Sequence, residues 1–171
     1  MALKKKMQDA LNKQINAEMY SAYMYLSMSA YFQSINHGGF AGWMRVQAQE
    51  ELIHAMKIYD HVFERGGGVT LTAIEAPPTE WDSPLAAFEV TSKHEQKVTG
   101  LINNLVDLAI KENDHASNNF LQWFIAEQVE EEAAAEDIVQ KLKLAGKGAG
   151  AMFMLDRELG RRASGKTEED E

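Results

Sequence analysis

The chain is predicted to be all-α: a four-helix bundle with a long crossover between the second and third helices and a short C-terminal fifth helix. Three observations carry this. Four long runs place apolar residues in steps of three and four, the spacing that lines one face of a helix. The links within each pair of runs are a few residues long, whereas about fifteen residues without helical period separate the pairs. Only 3 prolines interrupt 171 residues, and Ala, Leu, Glu, Lys, Gln and Met are plentiful, which favours helix.

The first run, residues 3–34, carries Leu3, Met7, Leu11, Ile15 and Met19, then Tyr23, Leu26 and Ala30. Asn36-His37-Gly38-Gly39 is a tight break, and a second helix is expected over 40–65, stopped by Gly66-Gly67-Gly68. So short a link makes the first two helices antiparallel neighbours. Residues 69–83 hold Pro77-Pro78 and read as an extended crossover. Asp82 or Ser83 can cap a third helix over 84–113, with Pro84 at its first position and Phe88, Val98, Ile102, Leu105, Val106 and Leu108 along it. After the polar turn Glu112-Asn113-Asp114-His115, a fourth helix is expected over 116–144, through Phe120, Leu121, Phe124, Ile125, Ile138, Val139 and Leu142. Glycines at 146, 148 and 150 end it, and 151–162 suits a short fifth helix. One domain over 1–165 is expected, followed by an acidic, disordered tail at 166–171.

The composition excludes several function classes. A net charge of −9 opposes nucleic-acid binding driven by phosphate neutralisation and suits a protein that attracts cations. With no Cys there are no disulfides, no thiolate metal sites and no thiol nucleophile. No apolar run approaches the ~20 residues that span a bilayer, and polar residues interrupt any signal-peptide core after Lys4-Lys5-Lys6. The cytoplasm is the expected location, with no membrane partner.

Glu51 and His54 stand three apart on the second helix, so a carboxylate and an imidazole share one face. Alone that is a weak signal, because Glu-rich helices produce it by chance. The rest of the chain supplies partners. Glu18, Glu51, Glu95 and Glu131 each sit inside the apolar stripe of a helix; Glu131 lies midway between Phe124 and Ile138, seven residues from each. An unpaired carboxylate there is expensive, and a shared cation would serve all four. The spacings also repeat. Glu18 precedes Glu51 by 33 residues and His54 by 36, and Glu95 precedes Gln128 by 33 and Glu131 by 36. Each helix pair therefore supplies half a site, and metal binding explains the repeat better than solvated charge does. One imidazole with several carboxylates is a hard, oxygen-rich set suited to iron or manganese, with zinc able to occupy it. Glu51 can bridge two ions. Glu50, Glu127 and Glu130 lie beside these residues and read equally as a third ion site or a solvated face. Tyr25 reads equally as core packing or as a hydrogen-bond and electron donor to the site.

The segments around Glu18, Glu50-Glu51-Leu52-Ile53-His54, Lys93-His94-Glu95-Gln96 and Phe120 to Glu132 closely resemble bacterial non-haem ferritins, and Leu144-Ala145-Gly146-Lys147 continues the match. The resemblance implies a ferritin-like fold and a hollow shell of 24 subunits. It implies ferroxidase activity, taking Fe(II) to Fe(III) with O2 or H2O2 and storing a ferric mineral. By the same resemblance the first iron position is Glu18, Glu51 and His54. The second is Glu51, Glu95 and Glu131, with Gln128 lining the pair. The third is Glu50, Glu127 and Glu130, with Glu131 shared, and Tyr25 falls on the family's tyrosine beside the centre. Bacterioferritins hold haem by a Met directly after the bridging Glu; Leu52 stands there, so no haem of that kind is expected. Many ferritins line a three-fold pore with acids near the start of the fourth helix, where Asp114 is the main carboxylate here. The neutral amide of Gln128 is expected to let Fe(III) leave more readily than a carboxylate would. The alternatives are a di-iron oxidase that acts on an organic substrate with retained metals, and a metal-free helical scaffold.

Overall fold

A computed structural model describes residues 2–162. It contains α1 (Lys5–Ser34), α2 (Gly38–Glu64), α3 (Pro84–Lys111), α4 (His115–Ala145) and α5 (Ala149–Leu159), with no strand among the described residues. α1 packs along α2 and α3 along α4, the two pairs meet where α1 faces α3, and α5 rests on α2 and α4. The acidic tail expected at 166–171 lies outside the described residues. Among those described, no helix is long and apolar enough to cross a membrane.

The helix ends refine the expected boundaries for identifiable reasons. α1 begins at Lys5 because Leu3 is tied elsewhere: its N–H donates to the Arg65 carbonyl at 3.0 Å, pinning the chain start to the end of α2. The α1–α2 turn is made by Asn36, at φ 62°, and not by the glycines, which join α2. Gly39 is required for a different reason. A Cβ there would meet the Asp156 carbonyl oxygen of α5 at 1.6 Å. Asp156 also accepts the Gly39 and Phe40 N–H groups at 3.2 and 2.9 Å, so the start of α2 is capped by α5. Ser83 caps α3, accepting from the Ala86 N–H at 3.1 Å, with Pro84 following as expected.

The crossover has no regular structure and lies against α1. Gln8, Asn12 and Asn16, spaced four apart, hold it there. Gln8 accepts from the Gly68 N–H at 3.0 Å, Asn12 accepts from Thr70 N–H at 2.7 Å, and Asn16 donates to Thr72 Oγ1 at 2.9 Å. This contact changes the reading of α1. Its second half carries two apolar faces, and Tyr23, Leu26 and Ala30 lie on the exposed one, while Tyr25, Met28 and Phe32 face the core. Periodicity alone cannot say which of two apolar faces is buried.

The core falls into two apolar clusters. One gathers Tyr25, Met28, Phe32, Phe40, Met44, Phe88 and Leu142; the other gathers Met7, Leu11, Ile15, Ile58, Val62, Val98, Ile102, Leu121 and Phe124. Of the site residues singled out from the sequence, Tyr25 belongs to the first cluster, and Glu18, Glu51, His54, Glu95, Gln128 and Glu131 belong to neither.

Gly39→Ala is expected to destabilise the protein by about 1–3 kcal/mol or more through overpacking against α5, whereas Gly42→Ala, with nothing within 4 Å of the new Cβ, gains helix propensity at no steric cost. Thermal unfolding of the two variants side by side checks the contrast.

Candidate metal centre

Helical register carries one carboxylate from each of the four long helices to the polar layer. Glu18, Glu51, Glu95 and Glu131 are 1, 2, 1 and 8 % exposed, and His54 and Gln128 are each 4 % exposed. Ligand atoms of Glu18, Glu51 and His54 lie within 4.8 Å of one another, and so do those of His54, Glu127 and Glu131. His54 Nδ1 stands 3.1 Å from Glu51 Oε2, and the ring meets Trp123 edge-on at 5.4 Å.

Three buried amides hold the carboxylates. Gln14 donates to Glu18 Oε1 at 2.8 Å. Gln47 donates to Glu131 Oε2 at 2.6 Å and approaches Glu51 Oε1 at 3.5 Å. Gln128 donates to Glu95 Oε2 and to the Glu95 carbonyl, each at 3.2 Å, and Tyr25 O–H donates to Glu95 Oε1. Gln128 also points at Thr99 Oγ1 at 3.3 Å, and Thr99 donates on to Glu132 at 2.5 Å.

Burial dominates the electrostatics. It pushes Glu18 from 4.5 up to about 8, with the neighbouring Glu51 charge adding to the rise. Burial, then Glu95, takes Glu131 up to about 7. Glu51 is raised well above its ordinary value by burial, then by Glu95 and Glu131, and Glu95 is raised by burial against the pull of Tyr25 and Gln128. Burial and the facing carboxylates raise Tyr25 as well, so it stays a phenol and a donor. Among the described residues, Glu18 Oε2 is the buried side-chain oxygen with no hydrogen-bond partner. A proton shared with the neighbouring Glu51 would satisfy it; a cation would satisfy it equally, and remove the repulsion. Four carboxylates and one imidazole fit hard divalent cations.

The structure thus gathers Glu18, Glu51, His54, Glu95, Gln128, Glu131 and Tyr25 in one layer. Of the acids read as a third position, half-buried Glu127 joins His54 and Glu131. Glu130 is exposed on α4, and Glu50 is taken by Arg162, whose Nη2 donates to it at 2.5 Å. Asp114 has a structural role. It accepts from Ser117 N–H at 3.1 Å as the cap of α4 and from Arg65 at 2.9 Å; burial alone would raise its carboxyl, but these hydrogen bonds hold it below its ordinary value. Sequence reasoning missed Gln14, Gln47, Thr99 and Arg162. A signal existed for the first two: each stands four residues before a stripe carboxylate, one on α1 and one on α2.

A bundle with one buried carboxylate per long helix and an imidazole beside them defines the carboxylate metal-binding helical bundles. The chain belongs to the ferritin family: the Ferritin-like domain model matches residues 8–145. It is 47% identical to the bacterial non-heme ferritin of Bacteroides fragilis over 94% of this chain and 99% of that one. Against the bacterial non-heme ferritin of Staphylococcus saprophyticus it is 42% identical over 97% and 99%. Among solved structures, an open pore ferritin from the hyperthermophilic archaeon Archaeoglobus fulgidus is 60% identical, with a TM-score of 0.94 over 95% of this chain and all of the other.

The raised carboxyls fix the sign of a pH effect. Glu18 and Glu131 hold protons that the unfolded chain has released above its pKa of 4.5, so the stability they confer is full below about 4.5 and is lost as pH rises through about 7 to 8. Metal-free protein is therefore expected to unfold at lower denaturant at pH 8.5 than at pH 6.5, and saturating Zn(II) is expected to reverse the trend by displacing those protons. Burial holds His94 at about 4 and lowers His61, so the unfolded chain binds protons there as pH falls toward 6.5; that opposes the trend only at the lower edge of the window, where the raised carboxyls outweigh it. Denaturant melts with and without Zn(II) at the two pH values measure it.

Proposed function

We propose that this protein is an iron-storing ferroxidase, oxidising Fe(II) to Fe(III) with O2 or H2O2 and holding the product as a ferric mineral inside a hollow shell of 24 subunits. The observation that carries the reading is the layer of four buried carboxylates and one imidazole, with Glu18 Oε2 lacking any protein donor. Fe(II) is substrate and cargo. Glu18, Glu51 and His54 take one ion and Glu51, Glu95 and Glu131 a second, with Glu51 between them. Entry of the cations drives protons from Glu18 and Glu131, and the anionic carboxylate oxygens that dominate the set favour the ferric state. Two Fe(II) supply two electrons, enough to take O2 to H2O2 or H2O2 to water. Complete reduction of O2 takes four, and a third ion at Glu50, Glu127 and Glu130, with Glu131 shared, and the phenol of Tyr25 are the further donors. The Tyr25 O–H hydrogen bond to Glu95 supports that role, since the proton can pass to Glu95 as the electron leaves.

The near-complete match to ferritins along the chain supports assembly. So do exposed apolar side chains, Tyr23 and Leu26 on α1, Leu71 on the crossover, Leu144 near the end of α4 and Phe153 and Met154 on α5, which subunit contacts would cover. The protein works in the cytoplasm, and with Leu52 after Glu51 it carries no haem.

Sizing the purified protein and then adding Fe(II) in air tests the function. The expected result is a particle of roughly 460 kDa that keeps ferric iron far beyond two per chain; a small oligomer holding two irons per chain is the result of a di-iron oxidase. Glu51→Gln is expected to slow the first oxidation by at least about tenfold, since it removes the shared ligand.

Gln128→Glu tests turnover separately. It places a second carboxylate against Glu95, is expected to hold Fe(III) more firmly, and should slow oxidation after the first two irons per subunit. Unchanged or faster multi-turnover oxidation contradicts the proposed role of the amide.

A further inference from the structure

Arg162 follows α5 and returns its guanidinium to α2. Nη1 donates to Gln47 Oε1 at 2.9 Å, Nη2 donates to Glu50 Oε2 at 2.5 Å, and the plane lies 4.4 Å over the Trp43 ring. Trp43, Gln47 and Glu50 stand at helical spacing, so three residues of one α2 face grip one side chain.

The contact with Gln47 bears directly on the metal centre. Gln47 is fully buried, and an amide has one accepting end and one donating end. A guanidinium only donates and keeps its charge throughout the accessible pH range. With Oε1 taken by Arg162, Nε2 is forced toward Glu131 Oε2 at 2.6 Å and Glu51 Oε1 at 3.5 Å. The reversed amide would set its oxygen against two carboxylates and its N–H groups against a cation. Arg162 therefore fixes the orientation of two ligand carboxylates without touching either.

The contact with Glu50 has the opposite consequence. Glu50 is one of the acids assigned above to a third ion, and a fixed positive charge already sits on it. A dication brought to the same carboxylate meets that charge at short range.

We propose that Arg162 is an internal cation standing where the third metal ion would bind: it positions Glu51 and Glu131 through Gln47, and an incoming ion reaches Glu50 only by displacing it. The competition rests on the third-ion reading of Glu50; the positioning through Gln47 does not. Arg162 is thus a positioning residue for the first two ions and a competitor of the third.

Calorimetric titration of redox-inert Zn(II) into the full-length metal-free protein tests both roles. In Arg162→Gln the first two ions are expected to bind about tenfold more weakly, the usual effect of losing support behind a ligand. The third is expected to bind about ten- to a hundredfold more tightly, since no charged hydrogen bond is lost on its entry. Arg162→Lys keeps the charge and loses the fork; its third ion is expected to stay weak while the first two weaken. Opposite signs for the two classes of ion are the signature. A third ion unchanged or weaker in Arg162→Gln overturns the competition, and all ions weakened alike in both variants overturns the proposal in favour of general loss of structure. Adding Glu50→Gln to Arg162→Gln separates the premises. If the tightened third ion survives that change, it does not bind at Glu50 and the third-ion reading itself is wrong. If it disappears, the ion sits at Glu50 as the competition requires.

Discussion

Four carboxylates buried in one layer are the constraint on which the rest of the molecule depends. In water each would be ionised at neutral pH; between two apolar clusters, side by side, they repel one another and lose their hydration. Two responses are open to such a layer: it can hold protons, or it can hold cations. The metal-free protein takes the first, which is why Glu18 and Glu131 rise to about 8 and about 7. Both values lie near the pH of most cellular compartments, so exchanging the protons for a metal ion needs no extreme condition. Readiness to bind Fe(II) and instability of the empty site are one property seen from two sides.

The scaffold makes that property usable by keeping the carboxylates from collapsing onto one another. Gln14, Gln47 and Gln128 each put an N–H on a carboxylate oxygen of the layer. Tyr25 does the same for Glu95 from the opposite side. These are neutral donors: they orient the acids without supplying the charge that would make a cation unnecessary. Arg162 is the exception, a full charge, and it stands one residue away from the layer on Glu50. In the proposed competition that charge holds a third ion off Glu50 while acids of the same chemical type in the layer take the first two.

The fold was legible because helices announce themselves by period and this chain has few interruptions. The centre was legible because Glu18, Glu51, Glu95 and Glu131 break an apolar stripe, and charge inside a stripe is informative in a way that charge beside one is not. What the sequence hid follows from the same logic. A Gln four residues before a Glu is unremarkable until both are known to be buried, so the spacing alone does not single out Gln14 and Gln47. Arg162 meets Gln47 and Glu50 across more than a hundred residues of chain, a distance no local pattern spans. On α1, Tyr23 and Leu26 followed the helical period yet face outward, because that helix carries a second apolar face. Asp114, the main carboxylate near the start of α4, caps that helix and binds Arg65, a partner 49 residues away that no local pattern marks. Within the break Asn36-His37-Gly38-Gly39 the sequence does not say which residue turns the chain; Asn36 does, and Gly39 is needed for the approach of α5.

The central claim is that the buried carboxylates form a two-ion site bridged by Glu51. Anomalous diffraction at the iron edge, from crystals loaded with Fe(II) without oxygen, tests it most directly. The account predicts two strong peaks in each subunit, one among Glu18, Glu51 and His54 and one among Glu51, Glu95 and Glu131. A single peak in that layer, or iron bound only outside it, would contradict the account.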